Sequence, residues 1–119
     1  MDIFCKIVKG DIPSKRIYED ELVIVILDVN PSSNGHSLII PKKHFENLFD
    51  IEDELLDHIM KVARDVAILL ENKLGCEGIT LIQNNKLEQD VKHFHLHLVP
   101  KYSNSNKLGV EEVFHKIVD

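Results

Sequence analysis

The sequence predicts an α+β fold, a mostly antiparallel five-stranded sheet with one long helix packed on it and short helices towards each end. Three stretches carry this expectation. Leu22 to Leu27 is a continuous run of large apolar, mostly β-branched residues, as in a strand covered on both faces. Leu55, Ile59, Val62, Val66, Leu69 and Leu70 recur at three- and four-residue steps, which makes one apolar stripe on a long helix. His93 to Pro100 alternates histidine with apolar residues before ending in Val-Pro, and period two is the signature of a half-buried strand.

Taken in order, Ile3, Phe4, Ile7 and Val8 have helical spacing, and Gly10 with Ile12-Pro13 closes that helix. Lys15 to Glu19 reads as a brief strand and Asp20-Glu21 as a tight turn into the run at 22–27. Val29 to Gly35 is loop chemistry, and His36 to Ile40 is a second strand closed by Pro41, paired antiparallel with the first. Asp50 is the expected N-cap of the long helix, with Asp53 and Glu54 in its first turn and Gly75 as its stop. Gly78 to Gln83 is a strand, Asn84 to Asp90 a loop, Lys101 to Lys107 a polar connection, and Val110, Val113, Phe114 and Ile117 a short terminal helix.

With 119 residues the chain is expected to form a single domain, with dimerisation as a way to bury further surface. A net charge of −6 argues against a general nucleic-acid binder. No stretch reads as a signal peptide or membrane span, and Cys5 and Cys76 have no metal-ligand spacing between them, so a reducing cytoplasmic setting is expected.

In His93 to Val99 the three imidazoles point to one face and Phe94, Leu96 and Leu98 to the other. Neighbouring imidazoles are then roughly 6.5 to 7 Å apart along the strand, close enough to share one bound group. A strand with incidental histidines is one reading, but strict alternation on one face is hard to assign to chance. A His-x-His metal site is another. Catalysis is the third, with one neutral imidazole as nucleophile or base and a neighbour supplying a proton. His58 and His115 read as packing or surface residues. Placing the Asp28 strand beside the histidine strand gathers Asp28, Asn84 and the imidazoles around one cleft.

The motif His93-Phe94-His95-Leu96-His97-Leu98-Val99 resembles the signature of the histidine triad (HIT) family of nucleotide hydrolases and transferases. Ile3-Phe4-Cys5-Lys6-Ile7 with Asp11-Ile12-Pro13, Leu27-Asp28-Val29-Asn30-Pro31 and Gly35 to His44 resemble its Hint-like branch in order and spacing, over residues 2 to 102. The resemblance implies hydrolysis of a purine nucleoside phosphoramidate or related AMP derivative through a nucleotidyl-histidine intermediate. A Fhit-like dinucleoside polyphosphate hydrolase, or a nucleotide-binding scaffold with little turnover, are the alternatives. His95 is implied as nucleophile, His97 as donor to the leaving group, and His93 and His36 as supporting histidines. Asp28 is implied to hold the ribose, Ile3, Phe4, Ile7, Ile26 and Val29 to line the purine pocket, and Asn84, Gln89 and Asp90 to border the phosphate. A homodimer is implied, with the long helix and the strand at 79–83 near the interface.

No metal is required for that chemistry. Zinc is possible but not expected, because relatives that carry it use a CxxC, and here Asp2 stands where the first cysteine would, leaving Cys5 with His44 as a third candidate ligand. Two further departures concern the phosphate. The loop before the triad is shorter and lacks glycine, with Lys86 as a possible replacement charge, and Asp90 stands where relatives place a serine.

Overall fold

The computed structural model describes residues 1–119. In chain order it contains α1 (Ile3–Lys9), β1 (Arg16–Glu19), β2 (Val23–Leu27), β3 (Ser37–Pro41), α2 (Asp53–Leu74), β4 (Gly78–Ile82), β5 (Leu96–Lys101) and α3 (Val110–Val118). The strands form one antiparallel sheet in the order β1-β2-β3-β5-β4. No helix is long and apolar enough to cross a membrane.

Strand alternation explains why β2 is apolar throughout. Val23, Val25 and Leu27 join a core against α2 and α3, whereas Ile24 and Ile26 join a second core under α1. Both faces of β2 are therefore dry. β3 divides likewise, with Ile39 on the α2 side and Leu38 and Ile40 on the α1 side. Of the predicted α2 stripe, Leu55, Ile59, Val62, Val66 and Leu70 are buried, joined by Ala63, while Leu69 is half-buried against the same core. Gly75 ends α2 in the left-handed conformation, φ +68°, where a side chain is disfavoured.

Three sequence expectations need correction. The Asp28 strand and the histidine strand are not neighbours, because β3 lies between β2 and β5. β5 starts only at Leu96, since the chain at Phe94 donates its N–H to the Phe45 carbonyl (2.7 Å) and does not pair with a strand there. Asp50 does not cap α2. Its carboxylate accepts the Glu46 and Asn47 N–H groups in a preceding turn, and Glu52 takes the cap position without a side-chain bond.

His58 and His115 have the structural roles expected of them. His58 Nε2 lies 2.8 Å from Asp20 Oδ2, joining α2 to the β1–β2 turn, and His115 is exposed between Glu111 and Asp119.

Because Ile59 is fully buried in the α2 core, Ile59→Ala is expected to destabilise the protein by about 2–5 kcal/mol in denaturant unfolding. A loss below about 1 kcal/mol would contradict this description of the core.

Candidate active site

The site lies where α1 crosses the sheet. Asp2 caps α1 by accepting the Cys5 N–H (2.8 Å), and Gly10, at φ +89°, closes it. This short helix lays Phe4 and Ile7 on Ile24, Ile26, Leu38 and Ile40. Between helix, sheet and the loops around them is a cavity of about 430 Å³. Of the sequence-predicted residues, Ile3, Phe4, Ile7, Ile26, Asp28, Val29, Asn84, Asp90, His95 and His97 all line it. Although β2 and β5 are separated, Asp28 reaches the cleft from the strand end.

His36, His93 and Gln89 do not line that cavity. His36 lies behind His97, and fully buried His93 lies beside α1. Gln89 is a clamp, buried at 5% exposure, accepting from Asn47 Nδ2 and the Lys86 N–H and donating to the Glu46 and Val91 carbonyls. Lys86 does not face the cleft as a phosphate partner, because its ammonium sits over the Phe49 ring at 3.9 Å. The sequence does not mark Ile12, Pro13, Leu27, Leu38 and Val91 as apolar wall, nor the polar lining residues Ser14 and Asn30. Alternation about buried Ile39 could have found Leu38, and no local signal marks Val91.

Hydrogen-bond partners determine which nitrogen of each imidazole carries the proton. The His93 carbonyl can only accept, so His95 Nδ1 (2.8 Å) is the protonated nitrogen and Nε2 keeps its lone pair. At His36 the order is reversed. The Ser32 N–H donates to Nδ1 (3.0 Å), which leaves the proton on Nε2 to be donated to His97 Nδ1 (2.9 Å). His97 in turn carries its proton on Nε2. Thus a bare nitrogen on His95 and a protonated one on His97 belong to rings 5.0 Å apart, both lining the cavity.

Burial favours these neutral forms. It pushes His95 below its ordinary pKa, against the opposing pull of the hydrogen bond to the His93 carbonyl, and it lowers His36, where Asp28 pulls the other way. His97 is pushed down to about 4, by burial first and by His95 and His36 next. Asp28 receives the Asn30 N–H on Oδ1 (2.8 Å), and its Oδ2 is 3.6 Å from His36 Nε2.

A second cluster backs onto the first. Asp2, Cys5, His44 and His93 present one ligand atom each within 4.8 Å of one another. His93 donates Nε2–H to the Pro41 carbonyl (2.8 Å), so in its neutral form Nδ1 is a bare lone pair. That lone pair lies 3.3 Å from Asp2 Oδ2, 3.4 Å from Cys5 Sγ and 3.2 Å from His44 Nδ1. His44 Nδ1, itself 3.0 Å from Asp2 Oδ2, meets these neighbours either as a proton donor or, as a second lone pair, through a shared cation. One carboxylate, one sulfur and two imidazoles at these separations suit a tetrahedral divalent ion.

The HIT domain profile matches residues 9–104 of the chain. An uncharacterised HIT-like protein of Methanocaldococcus jannaschii is 42% identical over 111 residues, covering 91% of this chain and 84% of that protein. The chain belongs to the HIT family. Within the family, the adenosine 5'-monophosphoramidase of Schizosaccharomyces pombe is 39% identical over 110 residues, covering 91% of this chain and 80% of its own. A zinc-bound histidine triad family protein from Mycobacterium smegmatis superposes with a TM-score of 0.89 at 34% identity, covering 97% of this chain and 88% of that one.

Since His97 is held neutral by its surroundings, NMR titration of its ring is expected to give a midpoint of about 4, against about 6.5 for a free histidine. The unfolded chain binds more protons here between those values, so His97's contribution to stability is present above pH 6.5 and is lost as the pH falls through 4. A midpoint near 6.5 would overturn the described environment.

Proposed function

We propose that this protein is a nucleotide hydrolase of the phosphoramidase type, acting on purine nucleoside monophosphates linked to an amine. The observation that carries the reading is the pair of opposite tautomers, a lone pair on His95 Nε2 beside a proton on His97 Nε2. Such a pair supplies the two things that phosphoryl transfer to an imidazole needs, a nucleophile and an acid. His95 Nε2 attacks the α-phosphorus and the P–N bond breaks. The departing amine takes the proton from His97 Nε2. Water then attacks the nucleotidyl-imidazole, releasing the nucleotide and restoring both rings. The Nδ1–H bond to the His93 carbonyl stabilises the positive charge that builds on His95.

Asp28 is suited to the ribose hydroxyls, and the apolar wall of Ile3, Phe4, Ile7, Ile26 and Val29 to the purine, with Phe4 edge-on to His95 at 4.8 Å. Asn84 and Asp90 border the phosphate. The charged residues lining the cavity other than histidine are two carboxylates, Asp28 and Asp90. That balance favours a substrate with one phosphoryl charge over a dinucleoside polyphosphate. A binding role with little turnover is the second reading. It is favoured by the same Asp90, whose charge opposes the incoming phosphate, and by a loop that carries Lys86 and Glu88 at positive φ, 62° and 72°, without glycine. Exposed Met60 and Ile68 on α2 and Leu81 and Ile82 on edge strand β4 suit a homodimer interface.

Asp2, Cys5, His44 and His93 would hold a zinc-type ion. When bound, it would supply a structural crosslink and a fixed His93 ring, not a site for substrate. Asp2 and Cys5 belong to the α1 end and His93 to the approach to β5, so these residues tie the purine-side helix to the triad.

Wild-type protein is expected to hydrolyse adenosine phosphoramidate, and His95→Ala to lose at least about a thousandfold in turnover. Intact-mass analysis of quenched wild type should show one adenylyl group that the variant lacks. Nucleotide binding without His95-dependent turnover would favour the binding role. For the metal, protein purified with zinc is expected to hold one ion per chain and to lose it in Cys5→Ala, with a lower Tm. Equal zinc content in wild type and variant would refute the ligand set.

A further inference from the structure

The segment joining β2 to β3 carries the two groups that flank His97, Asp28 at its start and His36 at its end. Backbone groups fix His36 within it. Asp28 N–H donates to the His36 carbonyl (2.9 Å), His36 N–H to the Ser33 carbonyl (3.1 Å), and Ser32 N–H to His36 Nδ1 (3.0 Å). The last bond selects the tautomer. Without Ser32 in place, His36 is free to carry its proton on Nδ1, and its Nε2 would then meet His97 Nδ1 as a second lone pair. The proton on His97 therefore depends on where residues 32–34 are held.

The C-terminal segment holds them. Asn34 is only 9% exposed, and its Nδ2 donates to the Asn106 carbonyl (2.8 Å) while its Oδ1 accepts the Leu108 N–H (2.9 Å). Its own carbonyl accepts the Tyr102 hydroxyl (2.7 Å), and Lys107 Nζ donates to the Pro31 carbonyl (2.9 Å). Beyond these bonds, Leu108, Val110 and Val113 share a small cavity of about 10 Å³ with Asp28 and His36. Val113 and Ile117 anchor α3 in the main core. Asn106, Leu108 and α3 all lie past residue 104, where the match to the family ends.

We propose that Asn34 is a positioning residue, through which the C-terminal segment sets the tautomer of His36 and so the proton that His97 presents. A carboxamide is required because one short side chain must donate to a carbonyl and accept from an N–H at once. Alanine does neither and leaves the Asn106 carbonyl and the Leu108 N–H without this partner. Asn34 touches no reacting atom in this scheme. Its effect passes through Ser32 and His36, and its consequence for turnover rests on the hydrolase reading above.

The test pairs Asn34→Ala with Tyr102→Phe, which removes one bond to Asn34 and keeps the ring. Nitrogen-15 NMR of the imidazoles at neutral pH reads the tautomers directly and needs no substrate. Wild type is expected to show His36 protonated on Nε2, and Asn34→Ala to show a mixture, with Tyr102→Phe shifted the same way but less. Steady-state kinetics with adenosine phosphoramidate should show kcat lower by about five- to tenfold in Asn34→Ala, the scale of one or two lost hydrogen bonds, with KM changed less than about twofold. In a His36→Ala background, Asn34→Ala should add no further loss.

A lower Tm with tautomer and kcat unchanged would overturn the proposal, as would an equal loss of kcat in the His36→Ala background. If Asn34→Ala does not fold, an unchanged His36 tautomer in Tyr102→Phe overturns it. Absence of turnover in the wild type would refute the hydrolase reading instead, and the tautomer measurement would still decide the role of Asn34.

Discussion

The site depends on one constraint, that Phe94, Leu96 and Leu98 are buried on the core side of the chain that enters and forms β5. Phe94, Leu96 and Leu98 enter the core against α2, and this holds His95 and His97 on the opposite side with their rings 5.0 Å apart. The same backbone supplies the His93 carbonyl that accepts from His95 Nδ1. Packing and chemistry are thereby coupled, since any shift that relieves the core also moves the acceptor that sets the reactive tautomer. A one-residue slip would exchange the two faces and put imidazoles in the core.

Three carbonyls and amides, none from a side chain, set the protonation pattern. The His93 carbonyl orients His95, the Pro41 carbonyl orients His93 and the Ser32 amide orients His36. Backbone groups suit this work because secondary structure already fixes them and they do not titrate. Burial then favours the neutral rings of His36, His95 and His97, most strongly at His97, which retains its proton on one nitrogen without acquiring a second. His93 joins the triad to the cluster of Asp2, Cys5 and His44, so the end of α1 is tied to the same strand approach whose histidines face the cavity.

The elements with strong local signals were legible. The β2 run, the α2 stripe, the Gly10 and Gly75 stops and the triad alternation all follow from periodicity or from glycine's access to positive φ. Asp50 misled because an aspartate before a helix has the same local chemistry whether it caps the helix or a turn a few residues earlier, and only the path of residues 46–52 separates the two. Lys86 misled because a lysine near a phosphate loop invites an ionic role, while the available aromatic face of Phe49 comes from a turn distant in sequence. The resemblance implies that Gln89 borders the phosphate, whereas partners at Glu46 and Asn47 that are near it only in space make it a clamp on its own loop.

The sequence by itself determined the fold class, the family, the face on which the histidines lie and most of the cavity wall, because each is written in local spacing or in a contiguous motif. Only the tertiary structure decided that β3 separates the Asp28 strand from the triad, that Asp2 and Cys5 meet His44 and His93, and that the C-terminal segment closes over the loop ending at His36. These are pairings between residues roughly 40 to 90 positions apart, of which Cys5 with His93 is one. Local propensity has no access to them, because strand order and loop packing are chosen by which apolar faces can be buried together, not by any residue's immediate neighbours.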